Sequence, residues 1–248
     1  MPAEAAIDQA REVAEAVTHR PLDWLRPTTP QRLWMSEVAQ LALWLDGNQL
    51  GKTSSILADC IHRCRGTHPY VRTHRPPINV LIMGASWPQM AQAGGFMEKL
   101  WQLLPKNEIG PNVRWEPGFG ITGKPPRIVF VRGPGKGSVI SFATFVKGKG
   151  GGADRVQGAT LHHVCTDEPI PQAVYEEVVP RLMRHGGTLR MNFTPRVGMP
   201  NMDDMRKRVE EKVVKLHNYG LLERNCWPEG APVPFLSAAR IEAMLAAL

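Results

Sequence analysis

The stretch Asp46-Gly47-Asn48-Gln49-Leu50-Gly51-Lys52-Thr53 constrains this chain more than any other. An apolar run, Leu41-Ala42-Leu43-Trp44-Leu45, leads into it. A helical pattern, Ser54-Ser55-Ile56-Leu57-Ala58-Asp59-Cys60-Ile61, leads out. A strand, a tight turn and a helix N-terminus are the setting of a phosphate-binding loop. The first backbone N–H groups of such a helix have no intrahelical partner, and with the positive end of the helix dipole they hold an anion. Gly51 lets the backbone come close to the phosphates. On this reading Gly47, Asn48, Gln49 and Leu50 form the nucleotide-contacting turn, Lys52 reaches the β- and γ-phosphates, and the Thr53 hydroxyl ligates Mg²⁺. One position departs from the usual pattern, which begins with Gly where this chain has Asp46. A carboxylate beside a triphosphate is unfavourable, so Asp46 is expected to point away.

A second chemical signal lies in Leu161-His162-His163-Val164-Cys165-Thr166-Asp167-Glu168-Pro169, an apolar strand that ends in two adjacent carboxylates. Ligands of parallel sheets sit beyond the carboxyl ends of the strands. There Asp167 can hold the water shell of Mg²⁺, and Glu168 can deprotonate a water for attack on the γ-phosphate. By itself such a pair is most often a turn. A phosphate loop, an intervening strand–helix unit and a carboxylate-ended strand together describe one nucleotide site. The strand Thr188–Phe193 ends in Thr194-Pro195, whose hydroxyl is placed to sense the γ-phosphate.

The remaining pattern alternates strands and helices, as parallel sheets require. Met1–Thr18 is an Ala/Glu-rich helix, Pro21–Gln31 is extended, and Gln31 opens a helix running to about Gln40. A Gln amide there is suited to an adenine edge, or is an ordinary first-turn residue. Ile78–Gly84 reads as a buried strand and Gln89–Leu104 as one helix. Asn107–Pro126 is irregular. Arg127–Val131 and Ser138–Phe145 form a β-hairpin around a basic loop. Gln172–Arg184 and Met202–Val214 are helices, Asn218–Leu236 is loop, and Ser237 caps a last helix.

Of 248 residues, 43% are hydrophobic, enough for one large α/β domain. No apolar run reaches the roughly 18 residues of a membrane span, and the N-terminus is not a secretory signal, so a cytosolic chain is expected. The net charge of +7 favours a polyanionic partner, although scattered Lys and Arg equally describe a solvated surface. Cys60, Cys64, Cys165 and Cys226 are expected as free thiols. His62 and His68 lie near the first two, but no second CxxC-type pair completes a zinc site.

The order of these pieces resembles the N-terminal packaging ATPase domain of the large terminase subunit of tailed bacteriophages. The resemblance is carried by Pro30-Gln31, the phosphate loop, Thr166-Asp167-Glu168-Pro169, and the string from Val174-Tyr175-Glu176 through Phe193-Thr194-Pro195. It implies a three-layer P-loop NTPase of RecA/ASCE-like type, with a mainly parallel central sheet, a β-hairpin and N-terminal helical additions. Implied residue roles are Gln31 as adenine contact, Lys52 and Thr53 as phosphate and Mg²⁺ ligands, Asp167 as the metal-side acid, Glu168 as catalytic base and Thr194 as the coupling residue. Arg155 resembles the position from which other members supply an arginine to the neighbouring subunit, a contact worth ~10³–10⁵ in rate. The family implies ATP and Mg²⁺ as cofactors. Implied partners are double-stranded DNA, a portal protein, a small terminase subunit and further copies in a ring, usually a pentamer, with no membrane, acting in the host cytoplasm. Domain expectations are an accessory helix at 1–20, the ATPase at 21–220, and at 221–248 a linker and helix leading toward a nuclease domain that this sequence lacks; no nuclease activity is expected of these residues. Two other readings stay open: another helicase or translocase ATPase, and a nucleotide-binding assembly module without hydrolysis.

Overall fold

The apolar runs of the sequence become the strands of one sheet. The structure, a computed structural model, describes residues 3–47, 50–123, 126–145, 158, 160–194, 202–220, 222–234 and 236–246. The chain begins with α1 (Ala3–His19), a 3₁₀ turn at Pro21–Trp24 and α2 (Thr29–Met35). Then come β1 (Leu41–Leu45), α3 (Lys52–Arg65), β2 (Asn79–Gly84), α4 (Trp87–Ala91) and α5 (Phe96–Leu103). A small antiparallel pair, β3 (Trp115–Glu116) and β4 (Gly120–Ile121), precedes β5 (Arg127–Val129) and β6 (Val139–Thr144). The last part holds β7 (His163–Thr166), α6 (Gln172–Arg184), β8 (Thr188–Phe193), α7 (Met202–Glu210), β9 (Lys215–His217), a second 3₁₀ turn at Glu223–Cys226 and α8 (Ala238–Ala246).

Among the described residues the main sheet has seven strands in the order β5-β6-β2-β7-β8-β1-β9. Every pair is parallel except β5–β6, the expected hairpin, in which Ile128 pairs with Ile140. Side-chain alternation builds a core on each face. Val80 and Ile82 pack with Ile56, Leu57 and Ile61 of α3 and with Met97 and Leu100 of α5. Leu81 and Met83 pack on the other face with Val174, Val178 and Leu182 of α6 and Met205 of α7. The result is the predicted three-layer α/β fold, with β8 lying between the strand that leads into the phosphate loop and the strand that ends in Asp167 and Glu168. Among the described residues no helix is long and apolar enough to cross a membrane.

Local expectations fail where a long-range contact or a glycine pair intervenes. The helix at Gln31 ends at Met35, and beyond it Arg190, buried on β8, collects the carbonyls of Glu37 at 2.8 Å and Ala39 at 2.7 Å. The single helix expected over Gln89–Leu104 is two, α4 and α5. Gly94 takes φ +71°, and a Cβ on Gly95 would stand 2.6 Å from the Gln92 carbonyl oxygen. The stretch Pro21–Trp24 is a 3₁₀ turn rather than extended. The helix expected to reach Val214 stops at Glu210, and the chain continues into β9 beside β1. Downstream, Cys226, Leu236 and Ile241 pack with Trp34, Ala42, Trp44 and Leu50, so the last segment covers the phosphate-loop end of the sheet. Ser237 accepts from Arg240 N at 3.4 Å, as expected of a cap on α8.

Candidate active site

Parallel strands share a C-terminal edge, and the loops after β1, β2, β7 and β8 leave there together. The phosphate loop follows β1. Gly51 sits at φ +71° as the residue before α3, and a Cβ there would stand 2.2 Å from Gln31 Nε2. Glycine is therefore required twice, by backbone conformation and by the close amide. Gln31 donates from Nε2 to Gly51 O at 3.0 Å and accepts from Thr28 N at 2.8 Å, while Thr28 caps α2. In this structure its amide braces the loop. Asn48, Gln49 and Arg155 lie outside the described residues.

Lys52 is buried, and its Nζ donates to Asp46 O at 2.8 Å, to Gly47 O at 2.5 Å and to Thr194 Oγ1 at 3.2 Å. Burial lowers its pKa, opposed by the carboxylates of Asp46 and Asp167. The Thr53 hydroxyl donates to Asp167 Oδ2 at 3.0 Å. The end of β7 is thus tied to the start of α3, and the end of β8 to the loop lysine. Seven of the candidate site residues (Gln31, Gly47, Gly51, Lys52, Thr53, Asp167 and Thr194) form one connected group. Glu168 borders the same cleft. Its Oε1 accepts from Gln89 Nε2 at 2.5 Å, and its backbone is held by the Thr166 hydroxyl.

Asp46 does point away. The residue is 5% exposed, and its carboxylate accepts from Gly47 N at 2.9 Å, Trp44 Nε1 at 3.3 Å, Tyr219 N at 2.6 Å and Gly220 N at 3.0 Å. The residue that departs from the usual loop pattern is the anchor of the segment following β9. Asp46→Gly, which restores the ordinary loop residue, should leave these donors without their acceptor and destabilise the chain by about 2–4 kcal/mol. Urea unfolding measures this; an unchanged midpoint would show that the anchor carries no stability.

Burial raises the Asp167 carboxyl from 3.8 to about 6, against the lowering effects of the Thr53 hydroxyl, Lys99 and Lys52, while Glu168 adds to the rise. An acid raised on folding holds its proton more tightly in the folded chain, so its contribution to stability falls as pH rises from about 4 to about 6. A cation needs the ionised form. Binding of a divalent cation at Asp167 should therefore weaken as pH falls through about 6. Titration calorimetry on either side of that pH, with stability followed in parallel, checks both signs.

Three contributors had weak or no signal in the sequence. Gln89 and Lys99, on α4 and α5, line the cleft with Thr53, Asp167 and Glu168. Nothing local marks either residue, since their position depends on the helix break between them. Asn192 on β8 is fully buried and donates to Lys52 O at 2.7 Å. It is one of three polar residues that alternate with apolar ones along β8, so nothing in the sequence singles it out.

No protein-family model matches the sequence, and no curated protein matches it. Solved structures do match the architecture. The large terminase of a thermophilic bacteriophage superposes with a TM-score of 0.62 at 15% identity, over 90% of this chain and 50% of that one. The chain has the fold of a phage large terminase. The same terminase in complex with ADP superposes with a TM-score of 0.56 at 15% identity, again over 90% of this chain and 50% of that chain. The chain thus spans half the length of the terminase whose fold it shares.

Proposed function

We propose that this chain is the ATP-hydrolysing motor domain of a viral DNA-packaging terminase, moving double-stranded DNA into a procapsid. The observation that carries this reading is the convergence of Lys52, Thr53, Asp167 and Thr194 beside Glu168 at one sheet edge, on a terminase fold. The ADP complex of the thermophilic phage terminase supports a nucleotide in this cleft. Asp46, the one feature that favoured a non-hydrolysing module, is turned out of the loop.

The site suits Mg²⁺: the Thr53 hydroxyl and the Asp167 carboxylate, 3.0 Å apart, are the hard oxygen donors this ion takes. When bound, Mg²⁺ neutralises charge on the phosphate oxygens. Lys52 grips the β- and γ-phosphates. Gln89 orients Glu168, which takes the proton of the attacking water. Thr194 reports the γ-phosphate to the end of β8. Gln31 contacts adenine, and Arg155 acts on a neighbouring copy's nucleotide. The net charge of +7 favours the DNA backbone as partner. A portal protein, a small terminase subunit and a ring of copies complete the assembly, in the host cytoplasm.

Steady-state Mg-ATP hydrolysis over a wide range of protein concentration tests this reading. Turnover rising faster than linearly, and increased by double-stranded DNA, is expected of a site completed by a neighbour. Turnover strictly linear in protein moves the assignment to a self-sufficient helicase-like ATPase. ATP bound without turnover under every condition leaves only the assembly module.

A further inference from the structure

Beneath the nucleotide site, where α3 packs on β7, lie polar groups that phosphate chemistry does not use. Cys60 on α3 and Cys165 on β7 bring their Sγ atoms to 3.3 Å. His163 stands two residues before Cys165, on the same face of the strand. The two sulfurs and a ring nitrogen of His163 all lie within 4.8 Å of one another, and all three side chains are buried. His163 Nδ1 meets the Thr188 hydroxyl at 2.8 Å. Its Nε2 is buried without a hydrogen-bond partner among the described residues. Asp59 Oδ2 stands 3.4 Å from that nitrogen, but outside hydrogen-bond geometry. Asp59 is already engaged by Arg63 Nε at 2.9 Å and His68 Nε2 at 2.8 Å.

We propose that Cys60, Cys165 and His163 bind a zinc ion that joins α3 to β7. Two thiolates on a tetrahedral zinc, with Zn–S near 2.3 Å, stand about 3.8 Å apart, so the sulfurs are within a small adjustment of ligand spacing. Thr188 plays the part that ligating histidines usually require, a partner on the second ring nitrogen that fixes the tautomer and aims the first. Two thiolates, a neutral imidazole and Zn²⁺ sum to no net charge, so the filled cluster suits an apolar interior. The donor set is soft and selects zinc, whereas the hard oxygens of Thr53 and Asp167 above it select Mg²⁺. The pairing differs from the Cys60, Cys64, His62 and His68 group that sequence proximity suggests. Cys64 is buried outside the cluster, and His68 is taken by Asp59.

The test uses the whole chain, produced without a histidine tag from cells supplied with zinc. Metal analysis by mass spectrometry should find stoichiometric zinc. Cys60→Ala and Cys165→Ala should each lose it, and Cys64→Ala should keep it. Because a buried variant can fail to fold, cobalt is the second probe: the wild-type chain loaded with Co²⁺ should show thiolate-to-metal charge-transfer absorption in the near ultraviolet. Wild-type protein that carries no zinc and gives no such absorption overturns the site. So does zinc retained by the folded Cys60→Ala, Cys165→Ala double variant, or a Cys60–Cys165 disulfide found in the purified chain. None of these outcomes depends on ATP turnover.

Discussion

Glu168→Gln is expected to bind Mg-ATP as the parent chain does and to hydrolyse it about 10²–10⁴-fold more slowly, the range a positioned general base contributes. The substitution preserves shape. The amide carbonyl still accepts from Gln89 Nε2, which holds Glu168 Oε1 at 2.5 Å, and the backbone contacts to Thr166 do not involve the side chain. What is removed is the ability to accept the proton of an attacking water. Nucleotide affinity and single-turnover rate, measured on the same preparation, separate these effects. Normal turnover in this variant would falsify the base role of Glu168.

The other large effect is expected at Lys52. Lys52→Ala should weaken nucleotide binding by about 10²-fold or more, since hydrogen bonds to a charged group are worth roughly 1.5–3 kcal/mol each and the proposed role of this side chain is to hold both the β- and γ-phosphates. Stability should move less. The change removes an ammonium whose burial is costly, yet strands the carbonyls of Asp46 and Gly47 and the partner it gives Thr194. Calorimetric affinity together with an unfolding curve distinguishes loss of a ligand contact from collapse of the loop. An affinity within a few-fold of the parent, in a folded protein, would move the phosphates away from Lys52.

The central elements were legible because their signals are local. β1 is an apolar run, and β7 and β8 are short strands, each bounded by clear stops. α3 begins at Gly51-Lys52 and ends at Gly66, and α6 fills Gln172–Arg184 as its periodicity predicts. Lys52, Thr53, Asp167 and Thr194 were singled out because each lies at a strand end or helix start, and the structure brings them together. β9 was missed because Lys215-Leu216-His217 is three residues long, mostly polar and at the sheet edge, so neither length nor alternation marks it. The stretch after α2 was read as more helix because its partner, Arg190, which binds the Glu37 and Ala39 carbonyls, is more than a hundred residues away. The same distance concealed what holds Asp46: nothing around it announces Tyr219 and Gly220. The break between α4 and α5 was visible in Gly94-Gly95, but the surrounding helical periodicity outweighed it.

The contacts of Lys52 make the arrival of a nucleotide an exchange. Its ammonium already holds two loop carbonyls and the Thr194 hydroxyl, so a phosphate must displace protein oxygens rather than meet a bare cation. The loop is thereby a competitor of its own ligand. On the proposed function, those oxygens compete with product phosphates for the same amine. One of the displaced partners ends β8, and another belongs to Asp46, whose side chain grips the segment beyond β9. On the proposed function, exchange at this single amine would reach two parts of the chain far apart in sequence.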